Sequence, residues 1–473
     1  MGLHRQEQQQ QQQHFLLVSY PAQGHINPVR HIAVRLASVT GARVTVSIAM
    51  SGHRILFPSA AGPDQEVKDG AVSYIPFSDG YDDGFKQGVV DSSRYESQIV
   101  INGSRTLSAI LDSLEARGRR VTCVLYTLIL PWAVDVAHKH GIRSALYWIQ
   151  PATVFACYYH YFHGYDKLIT THAEDRVPVV SFPGLPPLRI SDLPTFLTAT
   201  SEDHSSKLIL DNFRAVFDKL DQEDDGRRPM VLMNTYDSLE GDVLRSIKDK
   251  IEVFAIGPVV PKEIPTGSDL FKQDEKDYMK WLDTKPARSV VYVSFGSLSA
   301  VKRPQIDEMI LGLKESGRPY LWVLRNDCRE EGLELEEGDD GMVVSWCNQL
   351  RVLSHASVGC FVTHCGWNST LETLTCGVPT VGVPQWSDQR TNAWLMDEIL
   401  GMGVRAEVNE EGVLPAAELR RCLEVVMGEG ERGERIRKKL EMWKEKTREA
   451  VGEGSPSERN LWAFLAEIIA RCN

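Results

Sequence analysis

The chain has 473 residues, 42% of them hydrophobic and 25% charged, which is the balance of a soluble globular protein and too long for one ordinary core. A formal net charge of −12 argues against nucleic acid or an anionic membrane surface as a partner, because both select basic surfaces. Nine cysteines lie scattered without paired spacing, which points to reduced thiols and a cytoplasmic setting.

Residues 1–13, MGLHRQEQQQQQQ, read as a disordered glutamine-rich tail, since they lack the basic start, apolar centre and cleavage site of a signal peptide. FLLVSY (15–20) is an unbroken apolar run, as in a buried strand. PAQGHINP (21–28) follows as a loop, and the spacing after it predicts an amphipathic helix from about Pro28 to Val39. ARVTVSIAM (42–50), VTCVLYTL (121–128) and RSALYWI (143–149) are further strands, with PWAVDVAHKHG (131–141) a helix closed by Gly141. The apolar stretch Val121–Ala137 is broken by Pro131 and Asp135 and does not span a bilayer.

Composition turns to Pro, Gly and Ser from FAIGPVVPKEIPTGSD (254–269) onward, so a linker is expected over 254–275. The alternation then restarts: SVVYVSF, PQIDEMILGLKESG, PYLWVL, MVVSW, SVGCFVTH, STLETLTCG and PTVGVP alternate strand and helix character. The fold class is α/β, with two Rossmann-like doubly wound domains facing across a cleft, where the carboxyl ends of the strands form the default ligand site.

GEGERG (428–433) matches a dinucleotide-binding glycine pattern, but it follows a helix rather than a strand and carries two glutamates that would repel a pyrophosphate. No Walker sequence and no Asp-x-Asp pair occur, and Cys360 and Cys365 around His364 lack the second ligand pair that zinc needs. No metal is therefore expected. FVTHCGWNST (361–370) instead runs a strand into His364, Gly366, Asn368 and Ser369 at the start of a helix near Ser369, a natural anion site. SFGSLS (294–299), with Gly296 and Ser297, is a second loop of that kind, and two together suit a diphosphate.

The stretch WCNQLRVLSHASVGCFVTHCGWNSTLETLTCGVPTVGVPQWSDQ (346–389) resembles the signature box of the plant UDP-dependent glycosyltransferases of small molecules. The resemblance extends to PAQGHINP, FSDGYDDG (77–84), WIQPATVF (148–155) and DTKPARSVVYVSFGS (283–297). It implies a GT-B fold, with an acceptor-binding domain over 14–253, a UDP-sugar-binding domain over 276–458 and a C-terminal helix, 459–473, packing back on the first domain. Trp346 would stack on uracil while the Cys347 backbone reads the base edge; Gln349 and Glu372 would hold the ribose. His364, Asn368, Ser369 and Ser297 would bind the phosphates, Trp367, Asp388 and Gln389 the sugar, and Gly24 would join the donor site. Gln389, rather than histidine, favours UDP-glucose over UDP-galactose.

By the same resemblance His25 is the general base for an inverting transfer. Relatives pair it with an aspartate after the tyrosine of the later strand; here Tyr126 is followed by Thr127, which cannot stabilise an imidazolium as a carboxylate would. An acidic acceptor, a phenol or a carboxylic acid, would need less activation. The aromatic run LYWIQPATVFACYYHYFHGY (146–165) marks the acceptor region, with Trp132, Trp148, Gln150 and Phe196 as candidate pocket residues. The Thr127 variant, FSDGYDDG and LPTFL (193–197) are similar to a subgroup that includes anthocyanin 5-O-glucosyltransferases and crocetin and indole-3-acetate glucosyltransferases. The expected protein is a monomeric, cytoplasmic UDP-glucosyltransferase using UDP-glucose and a small planar acceptor; the alternative is an idle UDP-sugar-binding protein on the same fold.

Overall fold

The computed structural model describes residues 12–60, 65–84, 92–172, 178–199, 203–222, 227–260, 270–329 and 338–472. Residues 1–11 of the expected tail and 261–269 of the expected linker lie outside these. The chain divides into two compact units.

The first unit holds residues 1–21, 25–147 and 461–473. Of an eight-stranded sheet it carries β1 (His14–Ser19), β2 (Arg43–Ile48), β3 (Val67–Asp69), β4 (Val72–Tyr74), β5 (Cys123–Thr127) and β6 (Arg143–Trp148), in the order β6-β5-β1-β2-β4-β3. All neighbours are parallel except β3, which runs antiparallel to β4. β1 is buried along its whole length, as expected for a central parallel strand covered on both faces. The helix over Pro456–Cys472 contributes Phe464, fully buried with its ring 5.9 Å from that of Phe15.

The helix expected from Pro28 begins earlier, at Gln23, so that Pro28 lies inside it. A proline there has no N–H for the carbonyl four residues back, Gly24. The Asn368 side chain supplies the missing donor, its Nδ2 meeting the Gly24 oxygen at 3.0 Å.

The second unit holds residues 22–24 and 148–460. The boundary falls well before the expected linker because hydrogen bonds of long sequence reach tie residues 192–236 to the later chain. Trp367 Nε1 donates to the Asn234 carbonyl at 2.7 Å, the Tyr236 hydroxyl meets Thr447 Oγ1 at 2.8 Å, and Thr391 Oγ1 donates to the Asp192 carbonyl at 2.7 Å. Two short strands, β7 (Val179–Val180) and β8 (Leu188–Arg189), pair antiparallel, and β9 (Met230–Met233) and β10 (Glu252–Ala255) pair in parallel.

The six remaining strands form one parallel sheet: β11 (Val290–Ser294), β12 (Tyr320–Val323), β13 (Gly341–Val344), β14 (Val358–Thr363), β15 (Thr380–Gly382) and β16 (Gly403–Arg405). Their spatial order is β13-β12-β11-β14-β15-β16. The order reverses between β11 and β14, which is the topological switch point of a Rossmann sheet.

Candidate functional site

β11 and β14 lie side by side with Ser294 opposite Thr363, so the loops leaving their carboxyl ends emerge together. One contains Phe295-Gly296-Ser297; the other is His364-Cys365-Gly366, leading into the helix Trp367–Cys376. That helix starts two residues earlier than expected because Gly366 is extended (φ −61°, ψ 145°), and it ends on the left-handed Gly377. Its first-turn N–H groups therefore open at the switch point with the positive end of the dipole.

The His364 imidazole fills the gap between the two loops. A Cβ on Gly296 or on Gly366 would stand 2.6 Å from its Nε2, so both positions require glycine. Burial pushes His364 down to about 4, leaving a neutral ring that still donates one N–H; its Nδ1 has no hydrogen-bond partner among the described residues. Arg325, buried, braces the first loop by donating to the carbonyls of Gly296 and Ser299, both at 2.9 Å, and Ser297 is half-buried beside it.

Next to these two loops the side chains expected at the nucleoside are already linked. Gln349 Nε2 donates to Ser369 Oγ at 2.8 Å and to the Glu372 carboxylate at 2.6 Å, while its oxygen accepts from the Tyr292 hydroxyl at 3.2 Å. Tyr292 also meets Cys347 Sγ at 3.4 Å. Trp346 is half-buried with one ring face stacked on Phe271, centroids 4.4 Å apart.

A third loop, Gln385–Gln389, carries the residues expected at the sugar. Ser387 sits in left-handed backbone (φ 62°), as does Cys365 (φ 66°) in the histidine loop. For residues with a Cβ such geometry is strained and is held by surrounding contacts. Asn392 ties the two loops, giving one N–H to the Cys365 carbonyl at 2.8 Å and one to Asp388 Oδ2 at 2.7 Å. Burial raises Asp388 to about 6, against the opposing hydrogen bonds of Asn392, Ser387 and Gln150. Gln389 Oε1 accepts from the backbone N–H of Gln385 and Trp386, at 2.9 and 3.2 Å.

In the first unit His25 lies two residues into the helix that begins at Gln23, half-buried, its ring 5.4 Å from that of Tyr20. Burial pushes its imidazole down to about 4, and Nδ1 has no hydrogen-bond partner among the described residues. Thr127 is buried and its hydroxyl accepts the Tyr20 N–H at 3.4 Å.

Comparison with known proteins agrees with this layout. Residues 257–446 match the family model described as UDP-glucoronosyl and UDP-glucosyl transferase. The chain is 43% identical to crocetin glucosyltransferase, chloroplastic, of Gardenia jasminoides, over 96% of this chain and 97% of that one. It is 41% identical to anthocyanidin 3-O-glucoside 5-O-glucosyltransferase of Verbena hybrida, over 96% and 99%. The crystal structure of Os79 from O. sativa in complex with UDP superposes with a TM-score of 0.80 at 30% identity, covering 96% of this chain and 100% of that one. The chain belongs to the plant UDP-glycosyltransferases.

As a member of that family it has the GT-B type of α/β fold and is a UDP-glucosyltransferase of small molecules, with the UDP-sugar as co-substrate. Among the described residues no group of three or more His, Cys, Asp and Glu could hold a metal, and no helix is long and apolar enough to cross a membrane.

The residues named from sequence as acceptor candidates fall in different settings of this glycosyltransferase. Trp148 is fully buried in an aromatic cluster with Phe155, Tyr158, Phe213 and Phe217, and its Nε1 donates to the Pro151 carbonyl at 3.0 Å, so the ring is used in packing. Trp132 is buried edge-on to Phe77, 5.6 Å away, over Gly103. Phe196 packs edge-on to Trp386 at 5.9 Å, and the Thr195 hydroxyl accepts the Ser387 N–H at 2.8 Å, so this segment braces the Gln385–Gln389 loop. Gln150 reaches the same loop, Nε2 to Ser387 Oγ at 3.4 Å. Trp367 spends its indole N–H on Asn234 and is buried.

Sequence reasoning missed Arg325, Tyr292 and Asn392. Each acts on one of the segments described above from a strand, from the end of a strand or from inside a helix. Their sequence signals are those of ordinary core or surface positions, and only the fold brings them to the loops.

Proposed function

We propose that the enzyme transfers glucose from UDP-glucose, with inversion, to a small acceptor whose reacting oxygen is acidic: a phenol of the flavonoid or anthocyanidin type, or a carboxylic acid. The observation that carries this reading is the half-buried, neutral His25, whose Nδ1 has no hydrogen-bond partner among the described residues, with a threonine at position 127. A neutral imidazole accepts a proton, but with no carboxylate on Nδ1 its conjugate acid is poorly stabilised. A phenol, with a reference value of about 10, asks far less of such a base than an aliphatic alcohol, and a carboxylic acid of about 4 is already ionised. The named activities of the Gardenia and Verbena relatives, on crocetin and on an anthocyanidin 5-oxygen, point to these two classes.

In this reading the acceptor oxygen attacks the anomeric carbon as its bond to the UDP oxygen breaks. His25 takes the proton when the acceptor is a phenol. The charge gathering on UDP is met by the Trp367–Cys376 helix N-terminus, His364, Asn368, Ser369 and Ser297. Gly24 stands on the donor side, its carbonyl held by Asn368. Trp346 and Cys347 take the uracil, Gln349 and Glu372 the ribose, and Trp367, Asp388 and Gln389 the glucose. The protein acts in the cytoplasm as a monomer.

The test is a panel of phenols, carboxylic acids and alkyl alcohols with UDP-glucose and UDP-galactose, products read by mass and ester products by alkaline lability. UDP-glucose should support turnover of phenols or acids, with His25→Ala lowering turnover of phenols by at least about a hundredfold and of carboxylates much less. Turnover confined to alkyl alcohols would overturn the acceptor reading. A His25→Ala variant with undiminished turnover of phenols would remove the base, and a chain that binds UDP-glucose yet turns over nothing would be the idle binder.

A further inference from the structure

Gln150 stands just after β6, at the head of the helix Ala152–His160, and is 9% exposed. Its side-chain Nε2 donates to Ser387 Oγ at 3.4 Å. The NH2 end of the amide is thus spent on the 385–389 loop, and the oxygen is turned elsewhere. That oxygen, Oε1, is buried and has no hydrogen-bond partner among the described residues. Buried acceptors are rarely left empty, and an enzyme site is where one is kept for a substrate donor. Around it Asp388 is fixed by Asn392, and Ser387 by Thr195 through both of its backbone polar groups, N–H to Oγ1 at 2.8 Å and carbonyl to N–H at 2.9 Å. The frame is rigid before any ligand arrives.

We propose that Gln150 reads the transferred hexose: its NH2 is held at Ser387 of the 385–389 loop and its Oε1 accepts a hydrogen bond from one hydroxyl of the sugar. The proposal rests on the reading that the 385–389 loop holds the sugar, and it moves Gln150 from the acceptor to the donor. Specificity follows from the chemistry, since a site that leaves a buried acceptor unpaired when a hydroxyl is missing discriminates strongly against the deoxy analogue.

The experiment uses the full chain, UDP-glucose and its four monodeoxy analogues at positions 2, 3, 4 and 6, with Gln150→Met as the near-isosteric apolar variant. The Met variant should bind UDP as the parent does but lose about tenfold in kcat/KM for UDP-glucose. The parent's penalty for one deoxy donor should shrink to within about twofold in the variant while the others persist, the signature of a lost pairwise contact. Unchanged penalties for all four donors, or a change confined to the acceptor's KM, would overturn the proposal. Gln150→Ser, small and polar, is scored in the same way if the Met variant loses UDP binding. Loss of UDP binding in both would make Gln150 a packing residue and also overturn it. Asp388→Asn separates the levels: an unchanged KM for UDP-glucose there would remove the sugar loop itself rather than Gln150 alone.

Discussion

The His364 ring occupies a slot with glycine on either side, and the slot explains two residues at once. Gly296 adopts positive φ (75°), so a side chain there is strained as well as crowded, whereas Gly366 has ordinary extended φ/ψ and its only conflict is with the ring. Gly366→Ala is therefore the clean steric probe. The added methyl, 2.6 Å from Nε2, must push the imidazole out of its place. UDP affinity, measured by calorimetry, should fall by at least about tenfold with the circular dichroism spectrum unchanged. An unaltered affinity would show that His364 does not touch the nucleotide. The pattern His-Cys-Gly-Trp-Asn-Ser was legible in sequence as a strand-to-helix loop. That the ring would be wedged against Gly296, 68 residues earlier in the numbering, was not, because strand pairing rather than local sequence brings the loops together.

At the scale of elements, the Gln23–Thr40 helix shows why its start was misjudged. The apolar spacing after the PAQGHINP loop placed the beginning at about Pro28. The fold starts the helix at Gln23 and hands the Gly24 carbonyl to Asn368. Asn368→Ala should lower stability by about 1–3 kcal/mol in urea melts without nucleotide, the cost of leaving that carbonyl unpaired. In a Pro28→Ala background the restored N–H can take the carbonyl in an ordinary helical bond, so the same substitution should cost less than about 1 kcal/mol. Equal costs in both backgrounds would mean that Asn368 stabilises through another contact. The strands were legible because parallel strands covered on both faces are continuous apolar runs, as in β1, β11 and β14. The unit boundary was not. The Pro- and Gly-rich stretch signals a turn of the chain, while the compact units are set by bonds such as Trp367 to Asn234 and Thr391 to Asp192.

For the molecule as a whole, three buried or half-buried histidines, His14, His25 and His364, are each pushed down to about 4, with burial the largest cause. Their ordinary value is about 6.5. Between these two values the unfolded chain binds protons that the folded chain refuses, so stability falls as pH drops from about 6.5 to about 4. His53 and His160 shift in the same direction. Asp388 and Asp79 work the other way, since burial raises both and lets the folded chain take a proton first, but they are two groups against five histidines. The urea midpoint should therefore decline steadily from pH 7 to pH 4; a flat profile would show that these rings are solvated in the native state.

The sequence by itself determined the α/β alternation, the glycine-containing loops at strand ends and, through the 346–389 box, the family and its UDP-sugar co-substrate. These are carried by local order: apolar runs, glycines before helices and a long unbroken motif. The tertiary structure alone decided that Trp148 belongs to an aromatic core, that Gln150 meets Ser387, and that Arg325 and Asn392 hold the loops. The reason is physical. A buried polar or aromatic side chain takes its role from whatever partner the fold sets within about 3–4 Å, and nothing in its own sequence neighbourhood names that partner.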